Sequence, residues 1–461
     1  VIALIATEGI EFRAPDETTL SVRRLGGPPA TLPGLAPQTV RMLAATDDGP
    51  VALAEFALGG DELRATTLRL ARAGLVRVAC FDAHGEELLR GTLTGALAEL
   101  RWEAAPGPGA VRLTRFAVLR RDGDELVAEA PLAGARVTVL DPRGAAVLTE
   151  LCRARTAHEL RKALPHIDPA AVDDVLRLLL ALGLAAPADD DGLLPEDRSP
   201  ELRQRELPDV LLHAASRSGL TDRPVGGTYP FRDELPPPPA LKPVAGPAIA
   251  LPRPDVAALR AAGPTLAAAM EDRRSVRAFG RVPMTVAQLG EFLFRTARVR
   301  AVHPPGDALP YETTDRPYPS GGGAYDLELY VTALRCDGLA PGMYHYDPAG
   351  HALRLVSGDA KHVVGMLAAA QRAAGGESAP QVLVTMAARF ARTAWKYRGI
   401  AYALTLKNVG ALSATMQLAA TAMGLGGCPI GVGDAALFAT ATGLDPAAES
   451  SVGEFLVGSA E

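Results

Sequence analysis

The chain is short of cysteine, aromatics and long uncharged runs, and each shortage excludes something. Its 461 residues hold only four cysteines, Cys80, Cys152, Cys336 and Cys428. They lie far apart, with no CxxC and no zinc-type spacing. That argues against a disulfide framework and for reduced thiols in a cytoplasmic protein. No run of about 20 apolar residues is free of charge, so no membrane span is expected. The nearest candidate, Gly410–Leu425, is too short and is interrupted by Gln417. Positive charge is not in excess. The formal net charge is -6, which implies no general affinity for nucleic acid. Val1–Ala6 is apolar but short and is followed by Glu8 and Glu11, a pattern for a strand and not for a signal peptide. Position 1 is not Met, which leaves the natural start open.

What is present is an ordinary globular composition, 48% hydrophobic and 22% charged. Two to four domains fit this length. "LRLARAGLVRVAC" near residue 74 and "LRLLLALGLAAPA" near residue 183 look alike, and each follows two shorter helical patterns. In the second copy Thr156 and Glu159 form a capping box, and Leu160, Leu164, Val172, Leu176 and Leu180 recur at helical spacing. The order of helices followed by a strand outlines a tandem winged-helix-like α+β region, one repeat over 1–100 and one over 101–190. Asp173 and Asp174 beside Arg177 would repel phosphate, so the repeats suit peptide docking or a structural role better than DNA. Residues 191–253 are acidic, then proline-rich, and read as a linker packing on the catalytic domain.

From 254 to 461 the pattern is regular α/β. Thr285 and Gln288 make a second capping box. "DLELYVTAL" and "QVLVTMAAR" read as strands, "GMYHYDPAGHALRLV" as a hairpin turning at Pro348–Gly350. Tyr402–Met423 is a long helix, apolar nearly all round, and should be buried in a core or at a dimer interface.

Three stretches carry candidate chemistry. "EDRRSVRAFG" places Arg273, Arg274, Ser275 and Arg277 together. Such a cluster serves either as a solvated basic helix end or as a phosphate site. "PYPSGGGAYDLELYV" puts Gly321, Gly322 and Gly323 ahead of a strand, either a tight loop or a close backbone approach to a flat ligand. "GLGGCPIGVGD" ends the long helix and then turns, exposing backbone N–H groups around Pro429, Ile430 and Gly431. No GxGxxG lies between a strand and a helix, so there is no dinucleotide fingerprint. Lys396 and Tyr397 sit in "FARTAWKYRGIAYAL", a basic, aromatic stretch just before the apolar helix.

In this order and spacing the three stretches resemble the nitroreductase family, dimeric α/β flavoproteins that bind FMN. "LPDVLLHAASRSGL", "GGTYPF" and the Lys-Tyr pair of "WKYRGIAY" narrow the resemblance to the streptolysin- and microcin-type azoline dehydrogenases. These oxidise thiazolines or oxazolines of a precursor peptide to thiazoles or oxazoles, in the biosynthesis of ribosomally made, modified peptides (RiPPs). The resemblance covers about 207–461. It implies a nitroreductase-like FMN fold at the C-terminus, a homodimer, an azoline-containing precursor peptide as substrate, and a complex with a cyclodehydratase. It also implies site residues. Arg273, Arg274, Ser275 and Arg277 would bind the FMN phosphate, ribityl chain and pyrimidine edge. Pro319, Ser320, Gly321 and Gly322 would line the flavin from the partner subunit. Pro429, Ile430 and Gly431 would pass along the ring, and Lys396 with Tyr397 would be the catalytic pair. No metal is implied. Ala414-Thr415 stands where many relatives have Gln-Asn, and Gly323 where nitroreductases have Asn.

Azoline oxidation removes a proton from carbon, and Lys396 helped by Tyr397 is the expected base. Burial and the nearby Arg389, Arg392 and Arg398 would favour its neutral form. Trp395 and Tyr402 read as packing residues. An NAD(P)H-dependent nitro or quinone reductase and a peptide-binding scaffold are the two competing functions.

Overall fold

The computed structural model describes residues 1–461 apart from 59, 104, 225, 377, 378 and 461. The chain divides into two compact units, Val1–Arg223 and Pro224–Glu461.

The N-terminal unit is built on one seven-stranded antiparallel sheet. Its order is Val51–Ala52, Ile2–Ala6, Val76–Phe81, Glu87–Leu93, Ala135–Val139, Glu125–Ala130, Val118–Asp122. Three helices, Pro37–Asp48, Leu53–Leu58 and Gly60–Arg72, belong to its first half. Three more, Pro142–Glu150, Ala157–Ala163 and Pro169–Ala181, belong to its second half. The capping box of Thr156 and Glu159 opens Ala157–Ala163 as the sequence indicates. The two halves do not stand apart. Val137 pairs with Gly91 across the middle of the sheet, and a single apolar core runs from Leu4 to Ala185. Gly91 makes the close join possible, because any side chain there would overlap Leu182.

The segment 191–253 is not one linker on the catalytic domain. Residues up to 223 belong to the N-terminal unit, through Thr114 to Glu196 (2.7 Å), Ala96 N–H to the Gly219 carbonyl (2.7 Å) and Arg136 to Asp222 (2.7 Å). Residues from 224 onward belong to the C-terminal unit. The split follows hydrogen-bonding partners, which composition does not reveal.

Elements of the C-terminal unit are labelled here in chain order: β1 (Ala248–Ala250), α1 (Leu266–Asp272), α2 (Val286–Ala297), β2 (Leu327–Ala333), β3 (Gly342–Asp347), β4 (Ala352–Ser357), α3 (Ala360–Ala374), β5 (Val382–Arg389), α4 (Phe390–Ala394), α5 (Ala401–Ala422), β6 (Leu425–Ile430), α6 (Ala435–Thr442) and β7 (Glu449–Ser459). The sheet order is β1-β4-β3-β2-β5-β7-β6, with every pair antiparallel. β2 and β5 are buried along almost their whole length, the signature of central strands covered on both faces. One face packs α2 and α5 through Phe292, Leu412, Met416 and Phe455. The other packs α3 and α6 through Val363, Leu367, Phe438 and Leu456. The capping box of Thr285 and Gln288 starts α2, and β3 and β4 form the hairpin read from the sequence.

One expectation changes: "CPIG" is not a turn. Cys428, Pro429 and Ile430 belong to β6, paired with β7 from Leu425 to Ile430. Pro429 is tolerated because β6 is the sheet's last strand and needs no donor on its outer side. Helix α5 is not covered all round within the chain: Tyr402 is 47% and Leu406 39% exposed. Tyr402 packs only partly, tilted on Phe390 at 6.1 Å.

Among the described residues no helix is long and apolar enough to cross a membrane, and no cluster of His, Cys, Asp and Glu could hold a metal ion.

Candidate active site

Strand β5 ends at Arg389, and the chain makes the short helix α4 before turning through Gly399 (φ 78°) into α5. Lys396 and Tyr397 lie in this turn. Lys396 is 7% exposed. Its Nζ donates to the Tyr311 hydroxyl at 2.6 Å and to the Gly322 carbonyl at 3.3 Å. The rings of Tyr311, Tyr397 and Tyr229 surround it at 5.0, 5.2 and 5.9 Å. The segment at 227–229 covers the turn: the N–H groups of Thr228 and Tyr229 both donate to the Lys396 carbonyl, at 3.0 and 3.1 Å. Tyr229 takes a left-handed φ of 49° to do so, a conformation disfavoured for a residue with a side chain.

The arginines expected to tune Lys396 have other work. Arg392 is buried and donates to the carbonyls of Ala324 (2.9 Å), Pro238 (2.7 Å) and Glu312 (3.1 Å). Burial lowers its affinity for the proton, to a pKa of about 10. Arg389 pairs with the buried Glu328 (3.3 Å) and donates to the Pro239 carbonyl (2.9 Å). Arg398 is exposed. Arg389 and Arg392 are clamps joining residues 238, 239, 312 and 324 to the start of α4. Trp395 packs as expected, with its Nε1 on the Leu235 carbonyl (2.8 Å).

The loop of Pro319, Ser320, Gly321 and Gly322 meets this lysine. Gly322 has φ 62°, and a Cβ there would overlap the Tyr397 hydroxyl and come within 2.7 Å of Lys396 Nζ. Only glycine lets the loop approach the pair so closely. Gly321 N–H donates to Asn408 Oδ1 at 2.9 Å. Asn408 Nδ2 and Thr405 Oγ1 both donate to the fully buried Asp326, at 2.7 and 2.6 Å. Thus α5 holds the glycine loop through a polar chain.

The arginine stretch forms a second cluster. Helix α1 stops at Asp272 with Arg273 as its C-cap, and Arg274, Ser275 and Arg277 lie on the extended segment after it. Val276 N–H donates to the Gly427 carbonyl at 2.9 Å, and Gln417 Nε2 donates to the Arg274 carbonyl at 2.6 Å. That seats the segment against β6, which carries Pro429 and Ile430 and leads to Gly431. Arg273, Arg274 and Arg277 are exposed. Burial raises the Cys428 thiol, and Arg277 and Ser275 beside it act in the opposite direction. Gln417 Oε1 is buried without a partner, and the space where a Gly431 side chain would stand is open. The orphaned Gln417 acceptor suits an N–H of the flavin's polar edge, and the three exposed guanidiniums are donors that suit its phosphate.

Within one chain the two clusters stay apart. Lys396 and Tyr397 join Pro319–Gly322, and Arg273–Arg277 joins 429–431. Their anchors on α5, Asn408 and Gln417, are nine residues apart, about 13 Å at the helical rise. The exposed side chains of Tyr402 and Leu406 lie on the same helix. The residues that sequence reading missed are Tyr311, Tyr229, Asp326, Asn408 and Gln417. The amide side chains within the apolar helix were the available signal for the last pair. Tyr229 lies in "GGTYPF" and Asp326 follows the glycine loop, whereas Tyr311 carries no local signal.

Glu454 adds a titratable group beside this strand. It sits on β7 opposite Ile430, is 5% exposed, and lies so close to Gly433 that a Cβ there would overlap it. Burial raises its pKa from 4.5 to about 7, against the lowering effect of Ser451. The folded chain therefore keeps a proton that the unfolded chain releases. This contribution is full below pH 4.5 and is lost as pH rises through about 7. Its size is a few kcal/mol at most, at about 1.4 kcal/mol per pKa unit. Glu454→Gln should flatten the fall in melting temperature between those limits, read by thermal unfolding across pH. An unchanged slope contradicts the assignment.

Comparison with known proteins agrees with this architecture. Residues 270–459 match the model of the nitroreductase family, and residues 111–222 match that of the cyanobactin oxidase ThcOx. A Methanocaldococcus jannaschii protein named as a nitroreductase is 31% identical over 160 residues, covering 34% of this chain and 74% of that protein. Among solved structures, a Ralstonia eutropha protein named as a nitroreductase aligns at 23% identity with a TM-score of 0.37, covering 50% of this chain and 96% of its own. A chain of the Escherichia coli microcin synthetase McbBCD complex with truncated pro-MccB17 bound aligns at 18% identity and a TM-score of 0.35, covering 55% and 92%. At 31% identity over 74% of the Methanocaldococcus protein, and with residues 270–459 matching the family model, the chain belongs to the nitroreductase family.

Proposed function

We propose that the protein is an FMN-dependent azoline dehydrogenase. It would oxidise thiazolines or oxazolines of a ribosomally made precursor peptide to thiazoles or oxazoles, with dioxygen as terminal oxidant. The observation that carries this reading is the buried Lys396, held at the glycine loop within a family whose cofactor is a flavin. A plain reductase of quinones or nitro compounds has no need of a fixed amine there. The ThcOx match over residues 111–222 supports the same substrate class.

The overall change is loss of two hydrogens from each ring. When bound, the flavin supplies the acceptor for the hydride. The chain's own residues do the rest. Lys396 takes the proton from the ring carbon, with Tyr397 beside it to share or steer that proton. Arg273, Arg274, Ser275 and Arg277 hold the phosphate and polar edge of the cofactor, and Pro429, Ile430 and Gly431 run along its ring. Two chains complete each site. Pro319–Gly322 of one meets the arginine cluster of the other, and the exposed face of α5 forms part of the contact. The N-terminal unit serves as a winged-helix-like peptide-docking module, and a cyclodehydratase supplies the azoline.

The test is anaerobic mixing of the flavin-loaded protein with reductants. A thiazoline peptide alone should bleach the yellow colour, and air should restore it. Rapid bleaching by NAD(P)H with quinone turnover, and none by the peptide, would establish the reductase instead.

A further inference from the structure

The site contains a second phenol that neither the Lys-Tyr pair nor the cofactor set accounts for. Tyr311 is 3% exposed and lies 85 residues before Lys396. Its oxygen is 2.6 Å from Lys396 Nζ and 2.6 Å from the Gly322 carbonyl oxygen. A phenol has one hydrogen. In the structure the hydroxyl donates to the Gly322 carbonyl and accepts a Lys396 N–H on its lone pairs. Lys396 has a second acceptor in the same carbonyl, at 3.3 Å. A neutral amine has two N–H groups and one lone pair. With both hydrogens engaged, its lone pair must point away from Tyr311 and Gly322. That is the orientation a base needs.

The holder is itself held. Arg392 donates to the carbonyl of Glu312, the next residue, and to Ala324 just past the glycine loop. The Glu312 carboxylate accepts from Ala240 N–H at 2.9 Å. Trp395 and Tyr229 pack on the Tyr311 ring with centroids at 6.1 and 6.4 Å. Burial raises the Tyr311 pKa, which keeps the phenol protonated and able to donate to Gly322.

We propose that Tyr311 is a positioning residue for the reaction: its hydroxyl, anchored on the Gly322 carbonyl, takes one hydrogen of Lys396 and fixes the direction in which the amine faces the substrate. This rests on Lys396 being the base, and the experiment separates the two claims. Tyr311→Phe keeps the ring and removes only the hydroxyl. In the full-length, flavin-loaded protein kcat should fall by about 100-fold with KM unchanged, the cost of a base displaced by about an ångström. Acetylation of Lys396 by acetic anhydride, mapped by peptide mass spectrometry against the other lysines, should rise severalfold because Nζ is released. This second readout needs no turnover, so it reports on Tyr311 even if Lys396→Ala proves fully active and the base assignment fails. Gly322→Ala offers the same readout with Tyr311 in place, since the new Cβ would displace Nζ. Raised acetylation in Gly322→Ala shows that the readout detects a displaced Nζ, and unchanged Lys396 acetylation in Tyr311→Phe would overturn the proposal. So would a loss of activity in Tyr311→Phe accompanied by a lower melting temperature or lost flavin, which marks the phenol as packing only.

Discussion

Lys396→Ala is expected to lower kcat for thiazoline oxidation by about 100- to 10,000-fold, the range over which a positioned general base contributes. Bound flavin should be retained, because the groups assigned to the cofactor's phosphate and polar edge are those of the arginine cluster, which Lys396 does not contact. Tyr397→Phe should cost less, about tenfold, comparable to one hydrogen bond to a charged or proton-sharing group. The expectation follows from geometry. An amine that only covered apolar surface would extend its head toward water. Lys396 does the reverse: its Nζ is buried among three tyrosine rings and bonded to a phenol and a carbonyl. Thermal unfolding of each variant separates lost chemistry from lost packing. Full turnover in both variants would remove the pair from the mechanism.

Replacing the exposed arginines is the second large effect. Arg273→Ala and Arg274→Ala should each weaken FMN binding by about 10- to 100-fold. That range follows from 1.5–3 kcal/mol per charge-assisted hydrogen bond at about 1.4 kcal/mol per tenfold. Their exposure adds a second signature: affinity should fall with added salt, because exposed charges are screened over about 10 Å at 0.1 M. Arg277 lies beside Cys428 on β6, so Arg277→Ala should also raise the Cys428 pKa further and slow its alkylation. Flavin released by heat and measured by fluorescence gives the affinities. Stoichiometric FMN in a triple arginine variant would move the phosphate site elsewhere. The segment keeps its backbone anchors in these variants, Val276 N–H on the Gly427 carbonyl and Gln417 Nε2 on the Arg274 carbonyl.

Local chemistry made much of this readable. A Thr with Gln three residues on sets the start of α2 wherever it lies, and alternation with a Pro-Ala-Gly turn sets the β3–β4 hairpin. The Lys-Tyr pair and the glycine loop were each visible, and the structure brings them into contact. What could not be read depends on partners distant in sequence. "CPIG" contains the residues of a turn, yet β7 supplies a ladder for it and the edge position spares Pro429. Arg389 and Arg392 read as charges for Lys396, but carbonyls at 238, 239, 312 and 324 claim them first. Tyr311 stands in a loop without periodicity, and only the fold places it against Lys396. The segment 191–253 divides at 223 for the same reason.

The most direct test of azoline oxidation at Lys396 is mass spectrometry of a cyclised, thiazoline-containing precursor peptide incubated in air with the flavin-loaded protein. Loss of two hydrogens per ring is expected with the unsubstituted protein, and an unchanged peptide mass with Lys396→Ala carrying the same flavin. An unchanged mass with both proteins, or the same loss with both, would contradict it.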